Sequence, residues 1–542
     1  MRFTGLLIFL LIFYIDLFSQ AVEFEWADMC GNPPNTTDTR TTLASVDDGS
    51  FFMAGEFLDT ALFGTKTMVS AGGSDIFLAK FDHSGNALWT LRMGGEDDEY
   101  IREILLDNEG NILVSGFFYG TSVIGTDVYT SYGSQDLFIA KFNPEGDFIW
   151  SFRAGGPMAD YISGIAIVEN QDIVMSGSYY NSIFIENDSL NAIAASDVFL
   201  AKINADGELQ WTANAGGSSS DQLNSMTSDS EGNVFVAGSF YYDITIRDTT
   251  LTTLNPVGVF IAKYNAGGSL ENVFQLDGTY LCADILITAA NSGDFYISGC
   301  FSEDITFGDK TFSAGEFNQD LYTAKYSNDC DLLWARHAFS FGSDQVVAMD
   351  TDEFGNLYIT GHYLDTVHFE LLTLNYTLCC GSREIFIVNY SSAGQVQWGK
   401  QVSGTRANVK SMEMTSQGEL LLSGLFTEEL TVGPFSLSHY DGFRDYFTSL
   451  ETGLFTSVED YSDKNPFVIF PNPAKNRLSV SWENISYQLN YQIYGFDGRL
   501  FDCGLIRSGG TIDLDKLASG PFILRLSDPA SELSFSRILI RE

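Results

Sequence analysis

Positive charge is what this sequence has least of: 28 Lys and Arg stand against 71 Asp and Glu, a net charge of −43 over 542 residues. Nucleic acids and anionic membranes are bound by basic surfaces that displace counterions or meet headgroups, so neither is expected as a partner. Cysteine is scarce too, at seven, and none returns at a fixed spacing, which excludes a repeated disulfide or zinc framework. After the first 20 residues no apolar run approaches the ~20 residues that a membrane helix needs, so no integral anchor is expected. Histidine numbers five, and none of His83, His337, His362, His368 and His439 is followed by Glu, so the metalloprotease signature is missing. A Gly-x-Ser-x-Gly elbow and a Gly-x-x-x-x-Gly-Lys-Ser/Thr phosphate loop are missing as well. The expectation is therefore a non-enzyme with no catalytic residues, no cofactor and no metal. Two weak exceptions stand beside it: His362 and His368, six apart and able to share a strand face, and Asp350 with Asp352, a hint of calcium without the further oxygen ligands of a calcium loop.

What the sequence has in plenty is a repeat. The stretch Asp136-Leu-Phe-Ile-Ala-Lys141 reappears from Asp75, Asp197, Gly258, Asp320, Glu384 and Asp445, with start-to-start steps of 61, 61, 61, 62, 64 and 61 residues. A glycine closing an apolar run keeps the same beat at Gly55, Gly116, Gly177, Gly238, Gly299, Gly361 and Gly424. A fixed period of this size, carried by β-prone residues, marks units that bury their faces against their neighbours. Within one copy, the apolar positions of 101–106, the turn Asp107–Asn111, the apolar run Ile112–Phe118, a variable excursion at 119–135, the strand 136–142 and the turn Asn143–Gly146 before Phe148–Arg153 give four main strands. Four-stranded antiparallel units repeated radially are propeller blades.

The ends of the array fit a closed ring. A tryptophan-bearing strand recurs at Trp26, Trp89, Trp150, Trp211, Trp334 and Trp398, with Asn272 in its place once, and the last unit lacks one. The strand at 22–26 stands alone, so it is expected to complete the seventh unit and clasp the ring, removing two exposed edges. Before it, Met1-Arg2 and the apolar run Leu6–Ile15 read as a signal peptide over 1–20.

These copies, through Asp-x-Phe-Leu-Ala-Lys and Gly-Asn-x-x-x-x-Gly, resemble the bacterial seven-bladed β-propeller repeat family over residues 21–452. After a linker at 453–465, residues 466–542 change character: eight basic and eight acidic residues leave this stretch neutral. Leu478–Trp482 and Phe522–Leu526 alternate as strands of a small antiparallel β-sandwich. Phe470-Pro-Asn-Pro473, the turn Asp497-Gly-Arg499, Leu514-Asp-Lys-Leu517-Ala-Ser-Gly520 and the basic end Arg537–Arg541 resemble the C-terminal sorting domain of type IX secretion cargo of Bacteroidota. Pro521 departs from the pattern, where an aromatic usually follows the glycine. The resemblance implies Sec export to the periplasm, recognition by the outer-membrane translocon and a sorting protease, and a body released or attached at the cell surface. The fold class expected is all-β: a seven-bladed β-propeller of about 61-residue repeats followed by a small C-terminal β-sandwich.

Candidate functional residues are few. Aromatics just past the repeated glycine, at Tyr119, Tyr180 and Tyr242, begin the variable excursions and are placed to line one rim and stack on sugar rings. Cys282 and Cys300 are equidistant from Asn291 in a hairpin turn, so an oxidising compartment would let them bond. The function expected is a secreted or cell-surface binding or adhesion protein, with polysaccharide or a surface protein as ligand. A glycan-active hydrolase with acids around a central channel, and an architectural surface-layer component, are the alternatives.

Overall fold

The computed structural model describes residues 23–30, most of 39–452 and the strands between 467 and 541; positions 256, 279–280, 315–318, 378–382, 405, 439–443 and the stretches between the last strands are outside the description. The expected signal peptide at 1–20, the linker, Cys379, Cys380, the Pro-Asn-Pro stretch and the Asp-Gly-Arg turn also lie outside the described residues. Among the described residues the regular structure is β throughout, apart from one short 3-10 turn at Glu169–Gln171.

Seven four-stranded antiparallel units follow from the strand pairings. Unit 2 shows the pattern: Glu99–Leu106 pairs with Ile112–Ile124, which pairs with Asp127–Phe142, which pairs with Phe148–Gly155. The first strands of the units, Thr41–Ser45, Glu99–Leu106, Asp160–Ile167, Asp221–Ser228, Leu281–Ala289, Gln345–Thr351 and Asn408–Met414, each touch the next, and the last touches the first. They form the innermost ring of a propeller. Closure is made by the chain's beginning: Glu23–Cys30 runs antiparallel to Arg444–Thr452 and becomes the outer strand of unit 7. Unit 7 then packs on unit 1, where Leu421, Leu425, Tyr446 and Leu450 share a core with Leu43, Phe51 and Phe77. The Tyr446 hydroxyl donates to the Glu56 carbonyl at 2.7 Å across that seam.

The repeated residues have separate structural tasks. The glycine of each second strand lies under an aromatic ring of the third: a Cβ at Gly116 would stand 2.9 Å from Phe138 and 2.2 Å from the Tyr100 carbonyl oxygen. The lysine that ends the repeated run anchors two turns at once, as Lys141 does by pairing with Asp107 of its own unit at 2.9 Å and donating to the Ala205 carbonyl of the next. The outer-strand indole reaches the same carbonyl, Trp150 Nε1 to Ala205 O at 3.0 Å, and lies flat on Gly207, which takes φ +86°. One joint lacks this device on both sides. Asn272 replaces the indole, and Cys330, at φ +66°, replaces the turn glycine that the indole would cover.

The stretch 119–135 is ordered rather than irregular. In units 2 and 3 the second and third strands run on into a hairpin, closed at Gly125 in unit 2, and other units carry a separate hairpin such as Thr60–Phe63 with Lys66–Val69. Alternating exposed and buried side chains along these segments give them one apolar face. The hairpins of units 2 to 7 hydrogen-bond back to the end of the outer strand of the preceding unit, as in Gly94 with Val123 and Ala154 with Ile185, whereas that of unit 1 pairs only within itself among the described residues.

The C-terminal region forms two antiparallel sheets. Phe467–Phe470, Arg477–Trp482 and Gly510–Asp513 make one; Leu500–Ile506, Leu489–Tyr494, Gly520–Ser527 and Ser534–Arg541 make the other. Leu478, Val480 and Ile512 from the first meet Leu489, Ile493 and Leu524 from the second in one core.

Candidate binding site at the mouth of the ring

One cross-strand position past the repeated glycine of the inner hairpins, the repeat stops repeating. The pair is Tyr100 with Phe117 in unit 2, Tyr161 with Ser178 in unit 3, Gln222 with Ser239 in unit 4, Gln345 with His362 in unit 6 and Asn408 with Leu425 in unit 7. In unit 1 the Arg40 backbone N–H donates to Glu56 Oε2 at 2.7 Å. In unit 5 the pair is Cys282 and Cys300, joined as a disulfide with a Cα separation of 5.3 Å. A scaffold held constant by packing carries seven different side-chain pairs on one end of the innermost strands.

The aromatic members cluster. Tyr100 stacks on Phe117 with centroids 4.9 Å apart, Tyr161 meets the edge of Phe117 at 6.1 Å, and Tyr119 meets Tyr100 at 6.3 Å. Beside them Gly73, Glu96, Asp97, Asp98, Tyr100 and Tyr119 line a recess of about 360 Å³. Glu96, Asp97 and Asp98 are exposed and come from the link between units 1 and 2. Asp98 Oδ1 accepts from the Ser74 backbone N–H at 2.8 Å, which fixes that loop, and the Tyr119 hydroxyl donates to Gln135 Oε1. Burial raises the phenol pKa values of Tyr119 and Tyr161, so both rings are neutral hydrogen-bonding platforms across the physiological range. Tyrosine faces with carboxylates at their edge suit a ring-shaped polar ligand bearing hydroxyl or amino hydrogens.

Of the three tyrosines singled out in the sequence, Tyr119 lines the recess. Tyr180 is half-buried and close enough to Tyr161 to add to the rise of its phenol pKa. Tyr242 belongs to unit 4, is 67% exposed at φ +67°, and makes none of these ring contacts. The structure adds Tyr100, Phe117 and Tyr161, whose signal in the sequence is their place directly before a first strand's buried residue or directly after the glycine. A larger recess of about 520 Å³ on unit 4, between Arg247–Thr249 and Ser269–Val273, has no aromatic lining.

Two histidines read as able to share a strand face do not. His362 lies on Leu357–Tyr363 and His368 on Val367–Phe369, because the chain turns between them. Burial depresses both to about 3, so both are neutral. Asp350 and Asp352 also diverge: Asp350 Oδ2 accepts from Met414 N–H of unit 7 at 2.7 Å, whereas Asp352 is engaged by Phe354 and Asn356 of its own turn. Among the described residues no three His, Cys, Asp or Glu side chains group as a metal site. The innermost strands do carry other acids, and these latch neighbouring units. Glu413 accepts from Ser45 of unit 1, and Glu103 from Ile165 N–H of unit 3 at 3.0 Å. Arg102 spans two units, donating to Ser163 O at 2.7 Å and Asn224 O at 2.9 Å.

Residues 468–541 match the family described as the secretion system C-terminal sorting domain. The chain is 21% identical to an uncharacterized WD repeat-containing protein of Acanthamoeba polyphaga mimivirus, across 75% of this chain and 35% of that one. A shorter stretch, 24% of this chain and 14% of the relative, is 25% identical to the regulatory protein FlaEY of Caulobacter vibrioides. The chain thus spans about a third of the first relative and a smaller share of the second. Among solved structures, a protein of unknown function from Dyadobacter fermentans aligns over 80% of this chain and 99% of its own with a TM-score of 0.37 and 10% identity. PorZ, a surface component of the type IX secretion system of Porphyromonas gingivalis, aligns over 95% and 100% with a TM-score of 0.25 and 9% identity.

Proposed function

We propose that this chain, which its C-terminal sorting domain sends to the cell surface by type IX secretion, is a binding protein that holds a polysaccharide at the open mouth of its propeller. The observation that carries the reading is the aromatic step Tyr100, Phe117 and Tyr161 beside the acidic recess at Glu96–Asp98. Packing alone requires no such group, since units 4, 6 and 7 close the same position with Gln, Ser, His, Asn and Leu. Stacking supplies the area, and the carboxylates accept hydroxyl hydrogens. The carboxylates also disfavour sulfated or uronate-rich chains by like-charge repulsion, so neutral or amino-bearing glycans are the expected class.

The test is retention of the full-length secreted chain on a panel of insoluble polysaccharides, with release of new reducing ends scored in parallel. Retention without new ends is expected, and Y100A together with Y161A is expected to weaken it by roughly tenfold or more, at about 1 kcal/mol per lost stacking contact. New reducing ends would overturn the reading in favour of a hydrolase. Silence across the panel would point to a protein ligand.

A further inference from the structure

Where the outer strand of one unit crosses to the first strand of the next, two carboxyl groups are buried against the same glycine pair. At the joint between units 2 and 3 these are Asp136 and Asp160, on either side of Gly155-Gly156; between units 3 and 4 they are Asp197 and Asp221, at Gly216-Gly217. All four side chains are fully buried. A Cβ at Gly155 would lie 2.1 Å from Asp136 Cγ, and one at Gly216 would lie 2.2 Å from Asp197 Cγ, so the glycines are there to admit the acids. Each carboxyl accepts a backbone N–H through Oδ2, from Tyr132 at 3.0 Å, Gly156 at 2.6 Å, Ile193 at 2.9 Å and Gly217 at 2.8 Å, and the Ala194 N–H also acts on Asp197. Oδ1 of all four has no hydrogen-bond partner.

The groups around these joints do not neutralise them. Arg153 faces Asp136 from the outer strand and pulls its pKa down from a distance, but forms no ion pair with it: its guanidinium lies 3.9 Å over the Tyr132 ring and donates to Thr130 O. Tyr179 stands in register between Asp160 and Asp197 and is itself neutral, its phenol pushed up to about 12 by burial. Tyr161 follows Asp160 with a raised phenol pKa. Asp243, facing Asp221 from the hairpin of unit 4, adds negative charge and is held by Ser218. At the joint between units 1 and 2 Arg92 pairs with Asp75 at 2.5 Å, while the facing Glu99 is still lifted to about 8 by burial, with Asp75 adding to the rise. Two buried carboxylates without a counterion cannot both stay ionised. A calcium ion in their place would need six to eight oxygen ligands, and each joint offers two free oxygens.

We propose that each of these two joints holds one proton at neutral pH, kept by its pair of acids, and that neighbouring units loosen when that proton leaves. Burial lifts Asp160 and Asp221 to about 8 and Asp136 to about 6, and the facing acid adds to the rise of Asp160 and Asp221. These values lie above the ~3.9 of an unfolded aspartic acid. The contribution to stability is therefore complete below that unfolded value and is lost as pH rises through about 8.

The experiment is thermal unfolding of the full chain from pH 5 to 9.5, with D160N, D221N and the double variant, in EDTA and again in calcium. The wild-type melting temperature should fall toward pH 9, the asparagine variants should lessen that fall, its remainder coming from Glu56, Glu99 and Glu413, which burial also lifts to about 8, and calcium should leave the curves in place. Urea unfolding at pH 7 in weak buffer should release about two fewer protons from the double variant than from the wild type. If the double variant does not fold, D160N and D221N taken singly carry the same comparison joint by joint. Equal pH slopes and equal proton release in wild type and variants would overturn the proposal, and so would a calcium-dependent rise in the wild-type curve.

Discussion

Removing residues 21–30 takes the outer strand from unit 7 and opens the ring. Seven register pairs, from Glu23 with Thr452 to Cys30 with Tyr446, tie that strand to the last one. At a net ~1 kcal/mol per ladder hydrogen bond, their loss costs about 7 kcal/mol, a large part of the 5–15 kcal/mol that stabilises a folded protein. The ring runs from Glu23 to Thr452; at ~2.1 cal/mol/K per residue its unfolding entropy is about 0.9 kcal/mol/K, so the melting temperature should fall by about 8 °C. Differential scanning calorimetry of the full-length and shortened chains measures this directly. A synthetic peptide spanning 21–30, added in excess, should recover part of the loss, because it can pair with the vacated edge at 444–452. A shortened chain that melts within 2 °C of the full chain would refute the clasp, as would a peptide without effect on a chain that had lost the full amount.

Two further outcomes follow from single joints. The Cys282–Cys300 bond closes a separation of 18 residues, worth about 3 kcal/mol by loop-closure entropy, so C282S/C300S should melt about 3 °C lower and show no further change on reduction; a reduction-insensitive wild type whose mass does not change on alkylation would contradict the bond. N272W should destabilise by forcing an indole against Cys330, C330G should destabilise by removing a packed side chain, and the double variant should recover at least 1 kcal/mol of their sum by recreating the Trp-on-Gly contact of the other joints, measured by a denaturant double-mutant cycle. Additive effects would show that the two positions do not face each other.

The ring could be read from the sequence because its makers are periodic. Phe138, Gly116 and Lys141 answer to packing demands that recur in every unit, and the orphan strand at the beginning matched a vacancy at the end. The candidate site was harder to read for the opposite reason. Tyr100 and Tyr161 lie 61 positions apart like core residues, yet the same place holds Gln222, Gln345 and Asn408 elsewhere. Their contact with Phe117 depends on the distance between units, which a linear pattern does not carry. Tyr242 shows the converse: it sits just past the glycine like Tyr119 and Tyr180, but a local φ of +67° on a short hairpin turns it away. The hairpins at 119–135 were hidden because their alternation is carried by Ser, Thr and Gly as much as by apolar residues. The buried acids looked like turn and strand-start residues, since burial is decided by the neighbouring unit.

The pairing of Glu23–Cys30 with Arg444–Thr452 also sets an order of events. The strand of the ring that is synthesised first has its partner at the far end of the array, so no intermediate length of chain can complete the ring. Units with mostly local pairings can form one after another, while the seam between unit 7 and unit 1 must wait for the longest loop to close. Interruptions before residue 452 should leave a lone edge strand open to pairing with another molecule, which makes truncated products the form of this protein most prone to aggregate.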